Sequence, residues 1–278
     1  MSDRVRSRFL VHWTGKDLDP HDPTVSEKFA ERLLRTIETG LWLSPCREVL
    51  VGGRGVYELT VPMTCFTEIR LSAANSHASR YGRLGFGFDR LFVLRSGGSP
   101  VLYTRPSYDN LLMQRVSGVL GRLDGLETFL TSGGGDTDRF HAVRDVWEAR
   151  DLMHQLCAFI KVMSEPGTDD FQYLEEAEWR IAYNDVWSKD FHRPRYPPFI
   201  PQAAQALGEQ WERPKNIVPN DKGRPPYFVT FSPDDIRVLV TPNDEVRQMI
   251  GCAPEFKRWA DARRSVLPIM TLDECEQF

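Results

Sequence analysis

Cysteine is scarce in this chain. There are five among 278 residues, at 46, 65, 157, 252 and 275, far apart and without a Cys-x-x-Cys pair. An odd, scattered set argues against a disulfide frame or a zinc site, and the five read as reduced thiols, mostly buried. Long apolar runs are missing: nothing approaches the roughly 20 residues of a membrane-spanning helix. The N-terminal MSDRVRSRFLVHW has no long apolar segment of signal-peptide type, so a cytoplasmic protein without a membrane partner is expected. Charge of one sign is also missing. With 35 basic and 39 acidic residues the net charge is -4, which argues against bulk binding to nucleic acid while leaving room for a local basic patch. The chain has no Gly-x-Ser-x-Gly, no His-Glu-x-x-His, no His-x-Glu with Pro-Cys-x-x-Cys and no aspartate-rich set, so no metal is expected. Gly52-Gly53-Arg54-Gly55 lacks the Lys-Ser/Thr of a phosphate loop and reads as a turn.

What is present is enough apolar content, 41%, for a full core. Residues 8–13 read as a strand. Ser26 is placed to cap a helix over 27–39, where Phe29, Leu33, Leu34 and Ile37 share one face and Gly40 ends it. Strands are predicted at 56–60, 62–67, 84–88, 91–94 and 101–103, with a short helix near 72–80. Residues 108–130 and 140–163 carry helical periodicity and form an expected helical hairpin, inserted over 107–165. Residues 173–183 read either as a helix, by propensity, or as a strand, by alternation of Tyr173, Ala177, Trp179, Ile181 and Tyr183. A Pro-rich irregular segment covers 189–226. Strands at 227–231 and 236–242 then bracket Ser232-Pro233-Asp234-Asp235, and a last helix is expected over 243–251.

Several residues are candidates for chemistry. His12 closes the first strand, where it either donates to a ligand lying across the sheet or bonds backbone. His77 and Tyr81 stand four apart on the short helix and share a face. They either offer an aromatic platform for a planar group or cap and pack. Glu176, Glu178 and Arg180 share a polar face if their segment is a strand, where a carboxylate can bond a ribose hydroxyl or stabilise an oxocarbenium cation. On a helix they are a solvated face. Arg150 and His154 are similar to the Arg-to-His motif of helical ribonucleases of the HEPN type, with three intervening residues where that motif has at least four. Cys65, in a strand with no identified base, reads as a packed thiol.

The run from Val61 to Ser72 (VPMTCFTEIRLS), then His77, Arg80 to Phe88 (RYGRLGFGF) and Pro100-Val101-Leu102-Tyr103 closely resembles the AbiGi family of abortive-infection proteins. Glu178-Trp179-Arg180-Ile181 and Asp235 to Val240 fit the same resemblance. It implies one AbiGi-like domain over 1–278, a role in bacterial phage resistance and a partner: the family is labelled antitoxin, paired with a nucleotidyltransferase-like toxin. A more distant resemblance lies in the order of elements. A strand ending in His-x-Thr, a helix with Leu34, Ile37, Gly40 and Leu41, a strand with Cys-Phe-Thr and a late strand carrying Glu look like the ADP-ribosyltransferase fold, which includes the DarT-type toxins. It implies an α+β fold of split mixed and antiparallel sheets, with the helical hairpin inserted, and NAD as substrate in a cleft between the sheets. Carried over, His12 and Glu178 are catalytic, with Glu176 the alternate acid. His12, Thr14, Tyr81, Phe66 and His77 bind the cofactor, and Tyr57 competes for the stacking position. His12 is followed by Trp13, where that fold commonly has a small residue. The preferred expectation is a phage-defence effector that uses NAD to modify a nucleic-acid or protein acceptor, or hydrolyses it. The alternative is a non-catalytic antitoxin or sensor whose hairpin and Pro-rich segment bind a partner.

Overall fold

Along β1 (Phe9–Thr14) side chains alternate between two cores: Leu10 enters one, Val11 and Trp13 the other. The structure, a computed structural model, describes residues 9–52, 55–68, 70–105, 107, 109–132, 137–163, 176–182 and 228–277. The expected Pro-rich segment at 189–226 lies outside the described residues.

Over the Leu10 face lies α1 (Val25–Thr39), whose Phe29, Leu33 and Ile37 recur at helical spacing. Gly40 ends it, its N–H donating to the Thr36 carbonyl at 2.9 Å. Ser26 is not the cap. It sits inside the first turn and donates to Glu245 at 2.6 Å, while Thr24 holds the cap position. Helix α3 (Arg90–Arg95) stands where a strand at 91–94 was expected, because the Asp89 carboxylate accepts from Leu91 N at 2.7 Å and starts a helix there. On the opposite face α2 (Ala74–Tyr81) packs Ala74 and Ala78 against Val11, Trp13, Val238 and Val240.

The strands β2 (Leu41–Trp42), β3 (Ser44–Gly52), β4 (Gly55–Thr67), β5 (Leu84–Asp89), β6 (Ser99–Pro100), β7 (Leu102–Thr104), β8 (Ile160–Val162), β9 (Glu178–Ala182), β10 (Phe228–Val229), β11 (Ile236–Thr241) and β12 (Ile269–Thr271) form one large and two small sheets. The large one runs β12-β11-β5-β1-β4-β9-β6, with β3 on β4. Its pairs are antiparallel except β11 with β12; β2 pairs β10, and β7 pairs β8 in parallel. The fold is therefore α+β with mixed sheets. The two strands expected at 56–60 and 62–67 are one. Pro62 stays inside it because it faces Pro45, a pair in which neither residue has an N–H to give. The strands around 233–235 are not a hairpin, since β10 joins β2 and β11 lies between β5 and β12.

Helices α4 (Leu111–Thr131) and α5 (Thr137–Cys157) form the expected hairpin and pack Met113, Val116, Leu120 and Cys157 on Leu50, Val61 and Met63. The helix expected through 163 ends at Cys157, and Ile160–Val162 is β8 instead. The chain continues after β11 into α6 (Asp244–Cys252), α7 (Pro254–Asp261) and, after β12, α8 (Leu272–Cys275).

One register positions the site. Strand β1 pairs β5 over six residues but meets β4 at a single pair, Val11 with Thr67. Met63 of β4 pairs both Ala182 and Ser44. Because β9 keeps one edge of β4 from Met63 to Thr67, β3 takes the edge that β1 leaves. The sheet splits there, and a cleft opens between the diverging strands.

Candidate functional site

His12 stands at the split. Its Nδ1 lies 2.9 Å from the Cys65 carbonyl and 3.1 Å from Thr64 Oγ1, so the imidazole spans the gap from β1 to β4. A proton on Nδ1 satisfies the carbonyl acceptor and fixes the ring's tautomer. The cleft below it holds about 290 Å³ and is lined by His12, Trp13, Thr64, Tyr81, Glu176 and Glu178, among others. A second cleft of about 360 Å³ shares His12, Trp13, Ser44 and Tyr81 with the first and adds Thr14, Lys16 and Arg32. His12, Tyr81 and Glu178 thus converge on one cavity, and Thr14 lines the neighbouring one.

Charge in the cavity is dense and paired. Glu178 Oε1 accepts from Arg180 Nε at 2.6 Å and Oε2 from Lys161 Nζ at 2.6 Å. Glu176 Oε2 accepts from Lys161 at 3.0 Å, and Oε1 accepts from the Tyr81 hydroxyl. Arg180 continues to the Ala158 carbonyl and to Glu48, each at 2.6 Å, and Arg80 lies 3.9 Å from Glu176. Three carboxylates thus face three cations. Glu176 and Glu178 are 2% and 5% exposed, so unpaired charges here would be costly. Burial pushes the Glu178 carboxyl up, but Arg180 and then Lys161 overcome it and hold the group down at about 2. Burial raises Glu48, and Arg180 offsets only part of that. Glu178 is therefore an ionised, neutralised carboxylate at neutral pH. Between the two acids Ala177 takes a left-handed conformation, φ 42°, and its carbonyl accepts from Glu68 N at 3.2 Å.

Tyr81 reaches the cavity because of its neighbour. Gly82 has φ +115°, and a Cβ there would stand 2.2 Å from the Thr14 carbonyl oxygen. Only glycine lets the end of α2 press on the end of β1, and this sets the Tyr81 ring over the split. Burial and the Glu176 carboxylate push the phenol well above its ordinary range. His77 shares the face, its ring centroid 6.1 Å from that of Tyr81, but it is buried on α2 and does not line the cleft. Phe66 does not line the cleft either, although its ring centroid lies 5.8 Å from that of His12. It points into the α1-side core, 5.7 Å from the Phe88 ring. Tyr57 stands on β4 opposite Leu50 of β3. Arg150 is bound to Glu127 at 2.6 Å and Asp124 at 3.6 Å, a brace between α4 and α5.

Three participants were not singled out from sequence: Lys161, Glu48 and Tyr103, whose hydroxyl accepts from Glu178 N at 2.9 Å. Lys161 was hidden by reading the helix through 163. The signal was its place between Ile160 and Val162, β-branched residues after Phe159.

Among the described residues no group of three or more His, Cys, Asp or Glu could hold a metal ion, and no helix is long and apolar enough to cross a membrane. Comparisons with curated proteins and with solved structures find no match. The family model described as "Putative abortive phage resistance protein AbiGi, antitoxin" matches residues 46–242, which takes in Tyr81, Glu176 and Glu178 and begins after His12. By that match, over more than half of its length, the chain belongs to the AbiGi family.

Proposed function

We propose that the chain acts in abortive phage defence as a non-catalytic, partner-binding component, the antitoxin side of a toxin–antitoxin pair. The observation that carries this reading is the saturation of the acids. Both Glu178 oxygens lie 2.6 Å from a fixed cation. A carboxylate that assists cleavage of a glycosidic bond must face the positive charge that develops there. Here two resident cations already take that place. The cluster's work is then structural: it ties β3, β8 and β9 around Arg180. Co-expression with a nucleotidyltransferase-like partner toxin, followed by affinity purification, tests the reading. Stoichiometric co-purification and relief of toxicity are expected. A toxin that neither binds nor is relieved counts against it.

A second reading keeps an NAD-using, ADP-ribosyltransferase-like activity. The convergence of His12, Tyr81 and Glu178 on the cavity where β1 and β4 part favours it. In that reading His12 and Tyr81 hold nicotinamide, and Lys161 must leave Glu178 when substrate enters. Nicotinamide release from NAD, measured by chromatography, separates the two. Release by the wild type that disappears in Glu178→Gln and His12→Ala selects the enzyme. Release at the blank rate in all three selects the binder.

A further inference from the structure

We propose that the outer stripe of α4 is a docking seam for an amphipathic helix of a partner protein, one that carries carboxylates beside its own apolar stripe. This rests on the partner-binding reading and gives it a surface. Leu112, Val116, Val119, Leu123, Leu126 and Leu130 follow one another in alternating steps of four and three. That is the seven-residue repeat of a coiled-coil seam, sustained through the helix. Among the described residues the stripe is only partly covered. Val116 is buried at the sheet end, but Leu112, Val119 and Leu126 are 37%, 42% and 45% exposed. A row of exposed aliphatic side chains at this spacing marks an interaction surface.

Helix α5 leaves Leu112, Val119 and Leu126 of the seam exposed. Its polar contacts with α4 run through Glu127, which accepts from Trp147 Nε1 and Arg150 at 2.6 Å each, and through Asp124. Those carboxylates stand about a quarter turn around α4 from the stripe. The side of the stripe next to them carries Met113 and Leu120, buried on the sheet. The other side carries Arg115 and Arg122, seven apart and both exposed, followed by Phe129. No described carboxylate pairs with either arginine, whereas Arg144 and Arg150 of α5 are both ion-paired.

Charge chooses the occupant. In an antiparallel self-pair the arginine flank would face its own copy, like charge on like. In a parallel self-pair it would face Leu120 and Glu127, which the sheet and α5 already occupy. A foreign helix with Glu or Asp along one flank meets both needs: its apolar stripe covers Leu112, Val119 and Leu126, and its carboxylates meet Arg115 and Arg122.

The test uses the full chain and two synthetic helical peptides of about four heptads. Both have Leu at the core positions; one has Glu at the flanking positions, the other Lys. The Glu peptide is expected to bind at least about tenfold more tightly at low salt. The Val119→Glu/Leu126→Glu double variant is expected to lose that binding, and Arg115→Glu/Arg122→Glu to reverse the preference. Equal binding of the two peptides, binding of neither, or an unchanged preference in the charge-swapped variant overturns the proposal. Concentration-dependent dimerisation abolished by Val119→Glu/Leu126→Glu would assign the seam to a second copy and also overturn it. Circular dichroism confirms that each variant keeps its fold. The two levels stay distinguishable: toxin that still co-purifies with Val119→Glu/Leu126→Glu removes the seam and leaves the partner-binding function, whereas toxin that never binds the wild type removes that function.

Discussion

Arg180 donates from Nε to Glu178 Oε1 at 2.6 Å across two positions of the same strand. The rest of its guanidinium then serves the Ala158 carbonyl and Glu48. At 1% exposure the side chain has no recourse to water. Arg180→Met removes one cation from a cluster of three carboxylates and leaves Glu48 and Glu178 underpaired in the interior. Loss of about 3–5 kcal/mol is expected, read as a fall in the urea midpoint. A loss under about 1 kcal/mol would show that the cluster is solvated and does not hold the strands together.

The cluster also sets a pH window. Glu178 is held at about 2 against an ordinary 4.5, so its stabilisation is complete above about 4.5 and lost as pH falls towards 2. Glu48 is shifted up by burial and works the other way, which makes the acid limb shallower. Burial pushes Lys161 down, but Glu178 and Glu176 outweigh it and hold the group above its ordinary 10.5. Its contribution is complete below 10.5 and fades above. Tyr81, also held up, keeps its proton in the fold and adds to the same alkaline loss. Urea midpoints followed across pH should therefore fall on both sides of a plateau. Lys161→Gln should lower the plateau and flatten the alkaline limb. An alkaline limb of unchanged steepness in that variant would remove Lys161 from the cluster.

Glycines at two places should respond in opposite directions. Gly82→Ala puts a methyl 2.2 Å from the Thr14 carbonyl oxygen at φ +115°, and a loss of about 2 kcal/mol or more is expected. A Cβ on Gly125, inside α4, meets nothing within 4 Å. Gly125→Ala is expected to gain up to about 1 kcal/mol from helix propensity. Thermal unfolding of the two variants reads both signs in one experiment.

Much of the scaffold could be read from local pattern. The amphipathic face of α1, the alternation of β1 and the twin helices of the hairpin are set by neighbours three, four or two residues away. What escaped was decided at long range. Leu91–Leu94 is apolar enough for a strand, yet the Asp89 carboxylate turns it into a helix. Pro62 looks like a break until Pro45 is seen opposite. Glu178 was ambiguous between helix and strand until β4 supplied the partner ladder, Thr67 with Glu178 through Met63 with Ala182, while Glu176 lies before the strand, across the left-handed Ala177. Of the site, His12, Tyr81 and Glu178 could be named in sequence. Lys161, the residue that neutralises the acids, could not, because its pairing partners lie 15 and 17 positions away.

Cys46 and Cys65 both line the cavity. The neighbouring Cys65 thiol holds Cys46 below the ordinary thiol range, while Cys46 and then burial hold Cys65 well above it. Near neutral pH, iodoacetamide should modify Cys46 ahead of Cys65, with the order read by peptide mass spectrometry. Preferential modification of Cys65 would reverse the assignment of the shared proton.

Growth of cells that carry a nucleotidyltransferase-like partner toxin, with wild-type chain or with His12→Ala, decides most directly between binder and enzyme. His12 bridges β1 and β4 at the mouth of the cavity and stands outside the acid cluster. Equal rescue by the two chains is expected of a protein that neutralises by binding. A His12→Ala chain that folds and still binds the toxin, yet fails to restore growth, would show that protection requires chemistry in the cavity.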